Sequence, residues 1–243
     1  MWGDNLRGIY YIVLKDMRTY YLKPPAISWG IVFPLAWILA FYLRNPQDFA
    51  QLVPGLIAMT VLFSTTAAEA VVINFELRLG SLERLLLAPL SLQAVLLGKV
   101  LGGALFGLIM AAVVSLGAIL ALRLFQINLL YLFVVLILSL LVFSSLGALL
   151  CVLVKEVFEA QTLLNLPRFL MIFLSGVVYP ISAMPPALRG LAHLLPLTYT
   201  VDGLRGAFSP IPQTAILVDI LVLGAFFLLF ILPATRLLRR RFA

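Results

Sequence analysis

A chain of 243 residues that is 63% hydrophobic, only 11% charged and of mean hydropathy +1.14 cannot fold as a soluble globular domain, where about 25% of residues carry charge. The formal charge of +7 comes from 17 Lys and Arg against 10 Asp and Glu, and its distribution follows membrane topology with no nucleic-acid partner. Cys151 and His193 are each the only residue of their kind, which excludes an internal disulfide, a Cys- or His-based metal site and a catalytic triad.

Residues 1–25 interleave aromatic and aliphatic side chains with Arg7, Lys15, Asp16, Arg18 and Lys23. This pattern predicts an amphipathic interfacial helix, ended by Pro24 and Pro25. It lacks the apolar core and small-residue cleavage site of a signal peptide, so the N-terminus is expected to stay on the chain. Six apolar stretches follow, each near the ~20 residues that cross ~30 Å of hydrocarbon as a helix. They run over 26–43, 52–75, 100–122, 127–154, 163–178 and 215–232. Unbroken runs of this length do not alternate as barrel strands do, and lipid leaves open strands unsatisfied. The expected fold is an all-α membrane protein of six transmembrane helices, one domain over 1–243.

An even number of spans puts both termini on one side. With that side cytoplasmic, the inner segments hold 13 of the 17 basic residues, Arg168 among them, leaving Arg44, Arg123, Arg189 and Arg205 outside. The positive-inside rule therefore orients both termini to the cytoplasm. The basic run from Arg236 to Arg241 is expected to hold the tail against anionic lipid headgroups.

Two connecting segments are too apolar for ordinary loops. GSLERLLLAPLSLQAVLLGK, beginning at Gly80, offers Leu82, Leu85, Leu86 and Leu87 beside Glu83 and Arg84. A helix with this spacing either enters a groove of a partner protein, or lies on headgroups or against the N-terminal helix. The second segment, 176–210, carries prolines at 180, 185, 186, 196 and 210 yet stays apolar. Proline breaks it into short helices, which suit either a re-entrant lid shielded by protein or a cap on the outer surface.

These two segments, the glycine-rich span after the first, and the order of Gly176, Pro180, Met184, Pro185, Pro196 and Arg205 make the chain resemble ABC-2 type permeases, the membrane subunits of ABC exporters, over nearly its whole length. The resemblance implies a half-transporter in the inner membrane of a prokaryote. A second permease subunit, most simply another copy, completes the pathway, and a separate cytoplasmic ABC ATPase carries ATP and Mg. It further implies that 80–92, with Gly80, Ser81, Leu82, Glu83, Arg84, Leu85, Leu86 and Pro89, is the ATPase-coupling helix, supported by the N-terminal helix. The segment 176–210, with Gly176, Tyr179, Pro180, Met184, Pro185, Pro196, Tyr199 and Arg205, is implied to be a hairpin capping the outer end. The residues agree that this chain binds no nucleotide itself. Its only Gly-Lys, Gly98-Lys99, is followed by Val100 and lacks the upstream glycine of a P-loop, and LSGVV at Leu174 lacks the second glycine of an ATPase signature.

Single residues sort as follows. Glu69 is an acid inside a span, expected either to line the pathway or to pair with a basic residue near the cytoplasmic end. Gly98, Gly102, Gly103 and Gly107 form overlapping small-xxx-small patterns that let another helix approach, in this subunit or the next. Ser144, Ser145 and Gly147 read as packing, His193 as an interfacial residue, and Lys155, Glu156 and Glu159 as a charged turn. Tyr179, Tyr199 and Asp202 suit an outer gate or an interfacial belt. An intramembrane enzyme would need paired acids or a Ser–His pair, which the spans lack. The alternative is a self-contained secondary transporter or channel, for which several charged spans or repeated halves would be expected. Sparse intramembrane charge favours export of an apolar or amphiphilic cargo, a drug, lipid or lipid-linked glycan.

Overall fold

The computed structural model describes residues 2–24, 27, 32, 36, 37, 39, 40, 42, 43, 49–122, 127–154, 157–208 and 216–242. The expected first span, 26–43, falls outside the described residues apart from single positions, as do Arg44, Arg123, Lys155, Glu156 and Pro210. The described chain is all-helical. Its helices are α1 (Trp2–Asp16), α2 (Phe49–Arg78), α3 (Ser81–Leu86), α4 (Leu92–Leu122), α5 (Leu129–Leu153), α6 (Val157–Leu174), α7 (Pro186–Ala192), α8 (Pro196–Phe208) and α9 (Ile216–Phe242). A wide turn, Met17–Tyr21, continues α1.

Four helices, α2, α4, α5 and α9, are long and apolar enough to cross a membrane, as expected of the second, third, fourth and sixth spans. The expected fifth span differs. Its helix starts earlier, at Val157, and stops at Leu174, so 175–178 lie beyond it. Glu159, Gln161, Asn165, Pro167 and Arg168 interrupt its apolar run. The third span also starts earlier, at Leu92, so 92–99 are helix and not loop. The basic tail continues α9 without a break.

Local chemistry explains the boundaries. Gly80 at φ 66° and Gly176 at φ 79° follow the ends of α2 and α6 in the left-handed conformation that glycine adopts without a Cβ penalty. Both glycines open the segments singled out in the sequence. The Ser91 hydroxyl caps α4, accepting from the Ala94 amide at 3.1 Å, and Asn128 caps α5 through the Tyr131 amide at 3.1 Å. Prolines begin α7 and α8, where a missing amide proton costs nothing.

Helices α2 and α5 lie at the centre, α2 packing on α4, α5, α6 and α8, and α5 on α9, α4 and α8. One apolar core, including Ile57, Leu62, Leu140, Phe143 and Leu204, fills the end near α8. A second, including Ile12, Ile73, Leu82, Val95, Leu164 and Leu238, fills the end near α1. Thr60, Ser64, Thr65 and Thr66 return their hydroxyls to carbonyls four residues back in α2, which satisfies their donors within the helix while they sit buried.

Candidate functional site

At one end of the bundle α1 lies against α4, and glycine sets the distance. A Cβ at Gly98 would stand 3.0 Å from the Ile12 side chain, and one at Gly102 3.3 Å from the Tyr21 ring. That ring stacks on Phe106 with centroids 5.4 Å apart. The close approach brings four charges together. Lys99 Nζ donates to both carboxylate oxygens of Asp16, at 3.0 and 2.9 Å, and also pairs with Glu76. Lys15 bridges Glu76 and Asp16 from the rim. The quartet is neutral overall, with Asp16, Glu76 and Lys99 buried. Burying charge is costly unless it is paired and hydrogen-bonded, so this pairing favours one register of α1 on α2 and α4.

Burial pushes the Asp16 carboxyl above its ordinary range, against the pull of Lys99 and Lys15. Burial pulls Lys15 down, but the carboxylates of Glu76 and Asp16 outweigh it and leave Lys15 above the ordinary lysine value. A lysine raised by folding contributes stability that is whole below its unfolded pKa and is lost as pH rises through its folded pKa. Thermal melts in detergent should therefore fall on the alkaline side of the ordinary lysine range, and Lys15→Gln should flatten that limb.

Beside the quartet, α3 folds back on its own chain. Leu82 is 2% exposed and packs in the core that holds Ile12, Ile73 and Val95, with Leu85 against its edge. Of the readings open for this segment, Leu82 and Leu85 follow the one in which it packs against the N-terminal helix. The leucines facing outward are Leu79, 65% exposed, and Leu87, 87% exposed, with Arg84 and Pro89 exposed beside them. The side chains of Glu83 and Leu86 lie outside the described set. Asn5 of α1 accepts from the Ser91 amide at 3.0 Å, and Leu90 fills the space over Gly8, so the C-terminal end of the segment 80–92 is clamped to α1.

Glu69 lies deeper and is fully buried. Among the described residues it forms no ion pair, and its Oε2 has no hydrogen-bond partner. The Ser144 hydroxyl donates to Glu69 Oε1 at 2.8 Å and also lies 2.7 Å from the Val100 carbonyl. A Cβ at Gly103 would strike Glu69 Oε1 and Ser144, and one at Gly147 would lie 3.0 Å from Glu69 Cβ. Gly107 in turn accommodates Thr65 and Leu140. All four of these α4 glycines thus pack within this subunit, two against α1 and the turn after it, and two against α2 and α5. Ser145 returns its hydroxyl to α5 at 2.8 Å, as packing residues do.

By sequence Arg168 counts among the cytoplasmic charges, and in the fold it is buried on α6. Its Nε donates to Thr66 Oγ1 at 2.8 Å and its Nη1 to Asn165 Oδ1 at 3.0 Å. The guanidinium stands 5.4 Å from the Phe63 ring centroid.

At the opposite end Arg205 reaches from α8 to the Gly176 carbonyl, closing the loop after α6. Tyr131 OH donates to buried Asp219 Oδ2 at 2.9 Å, and Gly203 and Gly206 of α8 lie against Val135 and Tyr131. Pro196 and Met184 are buried, whereas Tyr179, Pro180 and Pro185 are exposed. Tyr199 is half-buried, its hydroxyl donating to the His193 carbonyl at 2.9 Å, and Asp202 is half-buried. Sequence reasoning missed the quartet, the buried Arg168 and the Tyr131–Asp219 bond. Lys99, a lone charge among Leu96, Leu97, Val100 and Leu101, was the available signal.

Among the described residues no group of three His, Cys, Asp or Glu is placed to hold a metal ion. The sequence model of the ABC-2 type transporter family matches residues 7–209, a stretch that includes most of α1, all of α3, the buried quartet and the α7–α8 segment. The chain belongs to the ABC-2 type transporter family. It is a multi-pass permease subunit with no catalysis of its own. It is similar to the inner membrane transport permease YadH of Escherichia coli K12, at 28% identity over 96% of each chain. The putative transport permease ycf38 of Cyanophora paradoxa is 28% identical, over 84% of this chain and 75% of its own. The probable multidrug ABC transporter permease YbhS of E. coli K12 is 27% identical over 82% of this chain and 54% of its own.

Proposed function

We propose that this permease subunit is half of an ATP-driven exporter in the inner membrane of a prokaryote. Two copies form the pathway, both termini face the cytoplasm, and a separate ABC ATPase binds ATP and Mg. Six spans complete the subunit, with α6 as the fifth. The ATPase docks on the segment 80–92, and α1 braces it. The segment 176–210 forms a re-entrant hairpin over the outer end, with Tyr179, Tyr199 and Asp202 near its gate. The cargo is an apolar or amphiphilic molecule such as a drug, lipid or lipid-linked glycan, since few charged side chains occupy the spans.

The observation that carries this reading is the shape of α3. Leu82 is spent inside the subunit, while Leu79, Arg84 and Leu87 project from a segment clamped to α1 and α4. A rigid element with an unpartnered apolar tip is suited to pass a push from a docked helix groove into the bundle.

Affinity purification from native membranes in mild detergent tests it. Wild type should bring down a soluble ATPase, and Leu87→Asp with Arg84→Glu should lose most of it while eluting as a folded species. Leu82→Asp serves as the contrast, since it should unfold the α1 end and not merely release the partner. If folded wild type recovers no nucleotide-binding chain, the half-transporter reading fails and a self-contained transporter takes its place.

A further inference from the structure

We infer that Arg168 is the head-group subsite for an anionic amphiphile, an acyl chain bearing a compact carboxylate or phosphate. This rests on the export reading and narrows its cargo class. The guanidinium sits eleven residues into α6, about 16 Å along the helix, and is 3% exposed. No carboxylate among the described residues pairs with it. Its three hydrogen-bond acceptors, Thr66, Asn165 and Gln161, are neutral, and Nη2 has no partner. A charge held at depth without a counterion is expensive and marks a partner that comes from elsewhere. The planar fork of arginine suits carboxylate or phosphate, each of which accepts two parallel bonds.

The surroundings supply the rest of the ligand's shape. Gln161, Asn165 and Arg168 stand at i, i+4 and i+7, one row along α6. The adjoining row, Leu166, Phe169 and Phe173, is exposed. Phe63, over which the guanidinium stands, meets Phe169 edge-on at 6.4 Å, so the polar and apolar rows touch. Asn165 is exposed and leads inward to Nη1. An anionic head entering past Asn165 would take over its place on Nη1 and engage Nη2, while its chain lies along the apolar row.

The test uses the purified chain in phosphatidylcholine nanodiscs, with spin-labelled stearate against its methyl ester and spin-labelled phosphatidic acid against diacylglycerol, each acid in its ionised form. The motionally restricted fraction should be at least threefold larger for an acid than for its neutral counterpart. Stearate preference identifies a free amphiphile, and phosphatidic acid preference a membrane lipid. Arg168→Gln should bring the ratio to one. Asn165→Asp should do the same by placing a carboxylate beside the guanidinium, at an exposed position that spares the fold. Equal restriction of acid and neutral probe in wild type, or a preference that survives Asn165→Asp, overturns the proposal. The readout needs no ATPase, so its failure is separate from failure to co-purify one.

Discussion

Lys99→Met is expected to destabilise the folded chain by about 3–5 kcal/mol, the cost of leaving buried charge without its partner. Lys99 is the only one of the two quartet cations that is fully buried, and it holds both Asp16 and Glu76. Lys15 remains, but it sits at the exposed rim, where solvent weakens its hold. The loss should appear as a lower melting temperature in detergent and as proteolytic release of α1, because buried Ile12 and, in the turn beyond it, Met17 and Tyr21 then lose their register on α4. Adding Glu76→Gln should recover part of the loss, because it removes one orphaned negative charge. A Lys99→Met protein that melts no lower than wild type would show that the quartet does not hold α1 in place.

The same substitution at two glycines of α4 should have opposite signs. At Gly117 the space that an added methyl group would occupy is open, with no other atom within 4 Å, so Gly117→Ala should stabilise by up to about 1 kcal/mol through helix propensity. Gly103→Ala places its methyl against Glu69 Oε1 and within 2.8 Å of Ser144 Oγ, inside a closed contact of α2, α4 and α5. Overpacking there should cost about 1–3 kcal/mol. Glu69→Ala empties the contested space, so the double variant should melt above Gly103→Ala alone. Additive losses would instead mean that Glu69 and Gly103 do not share one cavity, and the packing account of Glu69 would fall.

Much of the architecture was legible in the residues. Runs such as 129–153, apolar on every face, leave a helix in lipid as the only way to satisfy the backbone. Gly80 and Gly176 leave their helices through the left-handed region that glycine enters cheaply, but hydropathy alone carried the expected fifth span through Gly176 to 178. The leucines of the 80–92 segment were harder. Leu82 and Leu87 are equally apolar, and only the packing of α1, α2 and α4 decided that one turns inward and the other outward. The polar edge of α6 blurred its hydropathy signal, which moved the expected fifth span toward the more apolar 175–178.

Composition and span length determined by themselves that this protein crosses a membrane as a bundle of helices, because hydrophobicity and backbone hydrogen bonding are local properties summed along the chain. The glycine pattern at 98, 102, 103 and 107 likewise announced close packing. Tertiary structure alone decided what each charge does. Asp16 meets Lys99 at a sequence separation of 83, and Arg168 meets Thr66 at one of 102. Pairings at such separations are set by how helices cross, so a charge that reads as a solvated surface group in the sequence becomes, in the fold, a buried latch or an unneutralised cation.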